Sequence, residues 1–186
     1  MARRFAIGWI AVTLGISIIA FLDDGWITNW LVLSPSRVWH GELWRLVTWF
    51  LIVPSPISLV VSCVVIYQFG GALVEQWGVR RFRQFWVVLV VTAGVVTCLV
   101  SLVTGNTGAH VGGMVTTFSL AIAWARQFPH RELVLYGVVT LSGRKIVLFL
   151  SGVIVLFALA FGIYAMAPEL VACAIAAKYP RGWLRR

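Results

Sequence analysis

Two stretches of the chain, residues 85–103 and 146–166, contain no charged residue at all. A helix rises about 1.5 Å per residue, so a run of about twenty apolar residues matches the hydrocarbon layer of a bilayer. Composition agrees: 61% of the 186 residues are hydrophobic and 11% are charged. That charged share is less than half of the roughly 25% usual in soluble domains, and a soluble core of this size could not hide so much apolar surface. The expected fold class is all-α, a polytopic membrane protein.

Further apolar runs complete a single transmembrane domain over residues 1–186, with six spans at about 5–22, 57–74, 82–103, 109–125, 146–165 and 168–180. The first run follows Arg3 and Arg4 as a signal peptide would. It lacks a small-residue cleavage site before Asp23 and Asp24, so it reads as a retained helix. Residues 23–53 form a long first loop that is partly interfacial. Its Trp26, Trp30 and Trp39 suit the headgroup layer, because an indole ring is apolar and its N–H still finds a partner there. Pro54 and Pro56 interrupt the second apolar region, which leaves residues 43–53 as an interfacial or re-entrant piece. Residues 133–141 are too few to cross and are expected in the interface. The last apolar element, residues 168–177, reaches only about 15 Å unless Tyr179 and Trp183 extend it into the headgroups.

The formal charge of +9 sits in short clusters between apolar runs and forms no continuous basic face. That pattern excludes a nucleic-acid partner and points to anionic lipid headgroups as counter-ions. With six spans and a cytoplasmic N-terminus, the cytoplasmic segments hold Arg3, Arg4, Arg80, Arg81, Arg83, Arg126, Arg131, Arg144, Lys145, Lys178, Arg181, Arg185 and Arg186. The opposite side holds only Arg37 and Arg45. The positive-inside rule predicts this asymmetry, with both termini cytoplasmic. Cys63, Cys98 and Cys173 lie within apolar segments at spacings that fit neither a zinc site nor a redox pair. No P-loop, dinucleotide fingerprint, metal cluster or internal repeat is present, so no cofactor or metal is expected.

A few polar residues stand out. Glu169 opens the last apolar element without a basic neighbour nearby. Either it faces the bundle or a wet cavity, or it caps a helix N-terminus where an acid is favourable. His110 reads as lying just inside the fourth span, beside Gly108, Gly112 and Gly113, whose small size lets a neighbouring backbone approach. A hydrogen bond between His110 and Glu169 is chemically reasonable, and so is His110 donating to a loop carbonyl. Trp44 and Arg45 suit structural roles at the membrane boundary, Arg45 bonding to loop carbonyls or a lipid phosphate. Glu75 with Arg80 and Arg81 would lock the second span to the third. Ser58, Ser62, Ser101, Ser119 and Ser151 lie in spans, where a hydroxyl usually bonds to the carbonyl one turn back.

The stretch Gly41-Glu42-Leu43-Trp44-Arg45-Leu46-Val47-Thr48 resembles the first-loop Trp-Arg motif of rhomboid intramembrane proteases and the related derlins. Gly70-Gly71-Ala72-Leu73-Val74-Glu75-Gln76-Trp77-Gly78-Val79-Arg80-Arg81-Phe82 is similar to that family's second-span exit. With a long first loop and six spans, the resemblance covers almost the whole chain and implies a rhomboid-like six-helix bundle. Active rhomboids open the fourth span with Gly-x-Ser-Gly, whose serine is the nucleophile. Here the matching stretch is Gly108-Ala109-His110-Val111-Gly112, which puts His110 at the serine position. The family's sixth-span histidine matches Glu169 best, and Ser58 and Ser62 are nearest to its oxyanion-binding pair. Residues 109–113 also look like the family's sixth-span histidine motif, but they stand too early in the chain.

The departures fall on the chemistry and spare the scaffold. Without a nucleophile beside a base, acyl transfer has no covalent route. The resemblance therefore implies a catalytically inactive member, with no catalytic residues, that binds or chaperones transmembrane segments of client proteins. The alternative is a serine-type intramembrane endopeptidase in which Ser101 pairs with His110. A transporter or channel would need more polar groups than His110 and Glu169 supply. The expected location is the bacterial plasma (inner) membrane, as a multi-pass protein.

Overall fold

The computed structural model describes residues 2–23, 25–53, 55–105, 108–135 and 139–182. Its helices are α1 (Ala2–Leu22), the short loop helices α2 (Trp26–Leu31), α3 (Pro35–Trp39) and α4 (Arg45–Thr48), then α5 (Pro56–Val65), α6 (Gly71–Trp77), α7 (Val79–Thr104), α8 (Gly113–Gln127), α9 (Gly143–Phe161) and α10 (Ala167–Gly182). A 3₁₀ turn, Trp49–Leu51, follows α4, and a π-helical turn, Ile66–Gly70, joins α5 to α6. Three helical stretches are long and apolar enough to cross a membrane: Pro56–Trp77, Val79–Thr104 and Gly143–Ala160. The apolar part of α1, Ala6–Leu22, is shorter.

Contacts define two ends of the bundle. At the Arg-rich end, Trp77 packs edge-on against Phe85 at 5.4 Å and donates from Nε1 to Gln127 at 3.3 Å. Tyr179 of α10 meets Phe85 there at 4.9 Å, and Arg126 reaches the Ala177 carbonyl. At the loop end, residue pairs Leu33–His110 and Trp49–Gly112 join backbone to backbone. Ser17, near the end of α1, donates to the Leu51 carbonyl at 3.1 Å. The core between the two ends holds Leu73, Phe85, Leu89, Val90, Leu120 and Trp124.

Small residues decide how closely α10 approaches. Ala172 and Ala176, one turn apart, are both fully buried, as are Ala123 and Leu120 of α8. In lipid, where apolar surfaces gain little by meeting, close van der Waals packing of small residues holds helices together. α9 differs: it carries Leu148, Phe149, Leu156 and Leu159 exposed, a surface suited to lipid. Its start is pinned at Gly143, where a Cβ would stand 2.5 Å from the Phe128 carbonyl oxygen.

Several element boundaries differ from the sequence reading. The fourth helix begins at Gly113, and His110 lies on an extended segment before it, paired with Leu33. Gly108 and Gly112 therefore do not share a helix face. The second span runs a turn longer, to Trp77, because the π turn carries the helix through Gly70 and Gly71. The last helix runs to Gly182, about 24 Å of rise against the 15 Å read from its apolar core, because a helix continues past its hydrophobic residues wherever no breaker intervenes. The region after α8 holds two strands: β1 (Glu132–Leu135) and β2 (Val139–Ser142) pair antiparallel, with Glu132 opposite Ser142. Val139 and Thr140 are β-branched, which suits strands. Pro54 and Trp183 lie outside the described residues. Pro56 does open α5, at a position where its missing N–H costs nothing, while Ser55 caps by accepting from the Ser58 N–H.

Gly112 makes the tightest loop-end approach: a Cβ there would stand 2.6 Å from the Phe50 Cα, a backbone atom that cannot swing aside. Gly112→Ala is expected to destabilise the protein by about 1–3 kcal/mol, as overpacking does. Gly152→Ala, where a Cβ meets nothing within 4 Å, is the control. Thermal unfolding in detergent measures both; equal midpoints would contradict the close approach.

Candidate functional site

The loop end is organised by Arg45, whose side chain is 1% exposed. Nη1 donates to the Asn29 carbonyl at 2.7 Å and the Val32 carbonyl at 2.8 Å, and Nε donates to Glu42 Oε2 at 2.5 Å. A guanidinium presents several donors in a rigid plane, so one buried cation closes the end of α2 onto α4. Trp44, the neighbouring residue, is exposed and stacks on Trp30 at 5.5 Å, with Trp26 alongside at 6.3 Å. This aromatic row faces outward beside the exposed Leu43, as a headgroup-layer anchor would.

The clamped loop in turn holds the segment before α8. Leu33 N–H donates to the His110 carbonyl at 3.1 Å, and His110 N–H donates back to Leu33 at 2.8 Å. Gly112 N–H donates to Trp49 at 3.2 Å. Glycine at 112 is what allows it, since the Phe50 backbone occupies the place of a side chain. The glycines were expected to admit a neighbouring backbone, and at Gly112 that backbone is the first loop's.

A cavity of about 230 Å³ opens at this end. Thr97, Ser101 and Thr104 of α7 line one side, His110 another, and Gly162 and Tyr164 of the α9–α10 turn with Pro168 at the start of α10 close it. The fold thus brings His110 and the residue preceding Glu169 to one cavity, from positions far apart in sequence. Among the described residues, however, no hydrogen bond joins His110 to Glu169, nor His110 to any serine. Ser101 shares the cavity, but its hydroxyl donates to the Cys98 carbonyl at 2.8 Å.

Glu169 stands in the first turn of α10, where the positive end of the helix dipole favours a carboxylate. Its Oε2 is buried without a hydrogen-bond partner. One turn on, Cys173 meets Ser119 of α8. The Ser119–Cys173 and Arg126–Ala177 contacts show that α8 and α10 run parallel, which sets Glu169 level with Thr116. Thr116 and Ser119 are 4% and 0% exposed; Thr116 Oγ1 makes no hydrogen bond, and Ser119 Oγ has only the weak thiol beside it. The seam between the helices is therefore polar and under-satisfied at its loop end. Sequence reasoning set Glu169 against His110, read Cys173 only as a residue of an apolar segment, and missed Thr116. Their spacing, three from Ser119 and four from Glu169, is the same-face signal that would have found them.

The remaining candidates serve elsewhere. Ser58 accepts from Ser55 at 2.8 Å, and Ser62 bonds Thr117 at 3.2 Å, so the oxyanion-pair positions are used in helix capping and packing. Gly113 is the buried first residue of α8. Glu75 forms no ion pair with Arg80 or Arg81; among the described residues the only one is Arg45–Glu42. The turn is held instead by Gly78, whose φ of +80° reverses the chain, and by the Trp77 contacts. A charged pair would gain little there in water, whereas ring packing survives in the headgroup layer.

Replacing Arg45 with alanine orphans two carbonyls and is expected to cost about 1–3 kcal/mol for each. Arg45→Lys keeps the charge but cannot span the three acceptors, and should fall between wild type and alanine. Thermal unfolding and protease cleavage within residues 23–53 report the loss. An unchanged cleavage pattern in Arg45→Ala would contradict the clamp.

No curated protein matches the chain. Residues 5–183 match a family described as eukaryotic integral membrane protein (DUF1751). That description corrects the expected bacterial plasma membrane: composition and charge order report a bilayer and its sidedness rule, which bacteria and eukaryotes share. The chain, with its long apolar helices and its match over nearly the full length, belongs to this family of eukaryotic integral membrane proteins.

Proposed function

We propose that this chain is a rhomboid-like protein without proteolytic activity that binds or chaperones transmembrane segments of client proteins. In this reading six helices cross the bilayer and both termini lie on the cytoplasmic, Arg-rich side, where anionic lipids balance Arg80, Arg81, Arg126 and Lys145. The carrying observation is that Glu169 Oε2, buried without a partner among the described residues, shares a helix seam with the buried Thr116 and Ser119 hydroxyls and follows Pro168, which lines a cavity with His110. Each unsatisfied polar group in a water-poor interior costs about 1–3 kcal/mol, and a client helix offering a polar side chain recovers that cost. α8 and α10 also rise only roughly 22–24 Å, less than the about 30 Å of hydrocarbon, so the bilayer thins beside them and admits marginally apolar helices.

A protease reading keeps one observation in its favour, since Ser101 and His110 line the same cavity. Against it, the Ser101 proton is committed to the Cys98 carbonyl, and among the described residues no hydrogen bond orients the His110 imidazole.

Photocrosslinkers at Tyr164 and His110 should capture a polyleucine transmembrane helix carrying one central asparagine, and should leave the all-leucine helix unlabelled. Glu169→Leu should cut that capture by about tenfold, the value of roughly one hydrogen bond to a charged group. Equal capture of both helices would remove the client-binding reading. Cleavage of a transmembrane substrate that disappears in Ser101→Ala would establish the endopeptidase instead.

A further inference from the structure

A second cleft, of about 260 Å³, lies at the opposite, Arg-rich end between α1, the π turn with α6, and the segment after α8. Its polar lining is Tyr67, Gln68, Glu75, Arg131 and Glu132. Glu75, Arg131 and Glu132 make no ion pair with one another, although they share one opening. Arg131 is held at the rim by its own N–H, which donates to Phe128 at 3.2 Å, and by its guanidinium lying 5.5 Å over the Phe128 ring. The π turn sets the other wall. Its Gly71 N–H bonds to the Ile66 carbonyl five residues back, which inserts one residue and turns the following side chains by about 100°. Such turns concentrate at functional positions.

The apolar surface below this cleft identifies the kind of ligand. Ile57, Val60, Val61 and Val64 are all exposed and lie at helical spacing on one face of α5. Tyr67, also exposed, continues that stripe into the cleft. An acyl chain lying on the stripe would therefore deliver its headgroup to Glu75, Arg131 and Glu132.

We propose that this cleft binds a glycerophospholipid whose headgroup carries a primary ammonium and no net charge, a phosphoethanolamine lipid. Arg131 takes the phosphate, and Glu75 and Glu132 accept from the ammonium. Two carboxylates against one guanidinium disfavour a headgroup with a further carboxylate. A trimethylammonium has no N–H to donate, and it finds no aromatic cage here, since Trp124 is 1% exposed and Tyr67 stands alone. The site lies at the far end from the client cavity, so the two proposals fail independently.

Native mass spectrometry of the full chain, equilibrated with nanodiscs holding equal dioleoyl phosphatidylethanolamine, phosphatidylcholine and phosphatidylserine, tests this. The ethanolamine lipid should be retained about tenfold over each of the others, the fold-change of roughly one charge-assisted hydrogen bond. On the unmodified protein, mono- and dimethylated ethanolamine lipids should lose retention stepwise as N–H donors disappear. Glu75→Gln with Glu132→Gln should erase the preference, and Arg131→Gln should lower retention of all three lipids. Soluble glycerophosphoethanolamine in excess should fail to displace the lipid, because the α5 stripe holds the acyl chain. Equal retention across the methylated series, stronger retention of phosphatidylserine, or displacement by the soluble headgroup would each overturn the proposal.

Discussion

The loop end rests on one buried cation. Arg45 gathers three acceptors, two at the end of α2 and one before α4, around a single guanidinium, and the loop then offers its own backbone to the chain entering α8. In a bilayer an irregular segment survives only if its backbone groups find partners within the protein. The Leu33–His110 pairing and the Gly112–Trp49 bond meet that demand for residues 110–112. The position of His110 at its cavity is thus a consequence of the clamp, transmitted through backbone hydrogen bonds.

The two ends of the bundle are built by different physics. At the loop end, buried hydrogen bonds and one close glycine contact define the geometry, and polar groups are left over in the α8–α10 seam. At the Arg-rich end, rings do the work: Trp77, Phe85 and Tyr179 pack together. Rings tolerate the mixed polarity of a headgroup layer, whereas a segment at hydrocarbon depth must satisfy its amides internally. The polar seam is the exception, and a function that uses unsatisfied groups is the economical reading of it.

The helical rods were legible in the sequence because hydrocarbon thickness imposes a length and an apolar composition on any span. Runs such as 85–103 therefore announced themselves, and α7 and α9 fell where expected within a few residues. The structural role of Arg45 was legible too, since a cation at that depth needs several acceptors. The start of α8 was not. Residues 108–112 are small and mostly apolar, and nothing local separates a helix from an extended segment there. The choice was made by Leu33, seventy-seven positions earlier, whose backbone pairs with His110. The pairing of β1 with β2 escaped notice for a related reason, since a short apolar run satisfies either period.

By itself the sequence determined that this protein is built of apolar helices suited to a bilayer, because that follows from composition and order along the chain. It also supplied the absence of a Gly-x-Ser-Gly element, which is a matter of spelling. Only the tertiary structure decided that Glu169, Thr116 and Ser119 share one seam, that His110 and Ser101 line one cavity, and that Glu75 lines one cleft with Arg131 and Glu132. Those groupings depend on helix register and rotation. Close contacts at Ala172, Ala176 and Gly112 set both, and no residue carries that information until its partner is in place.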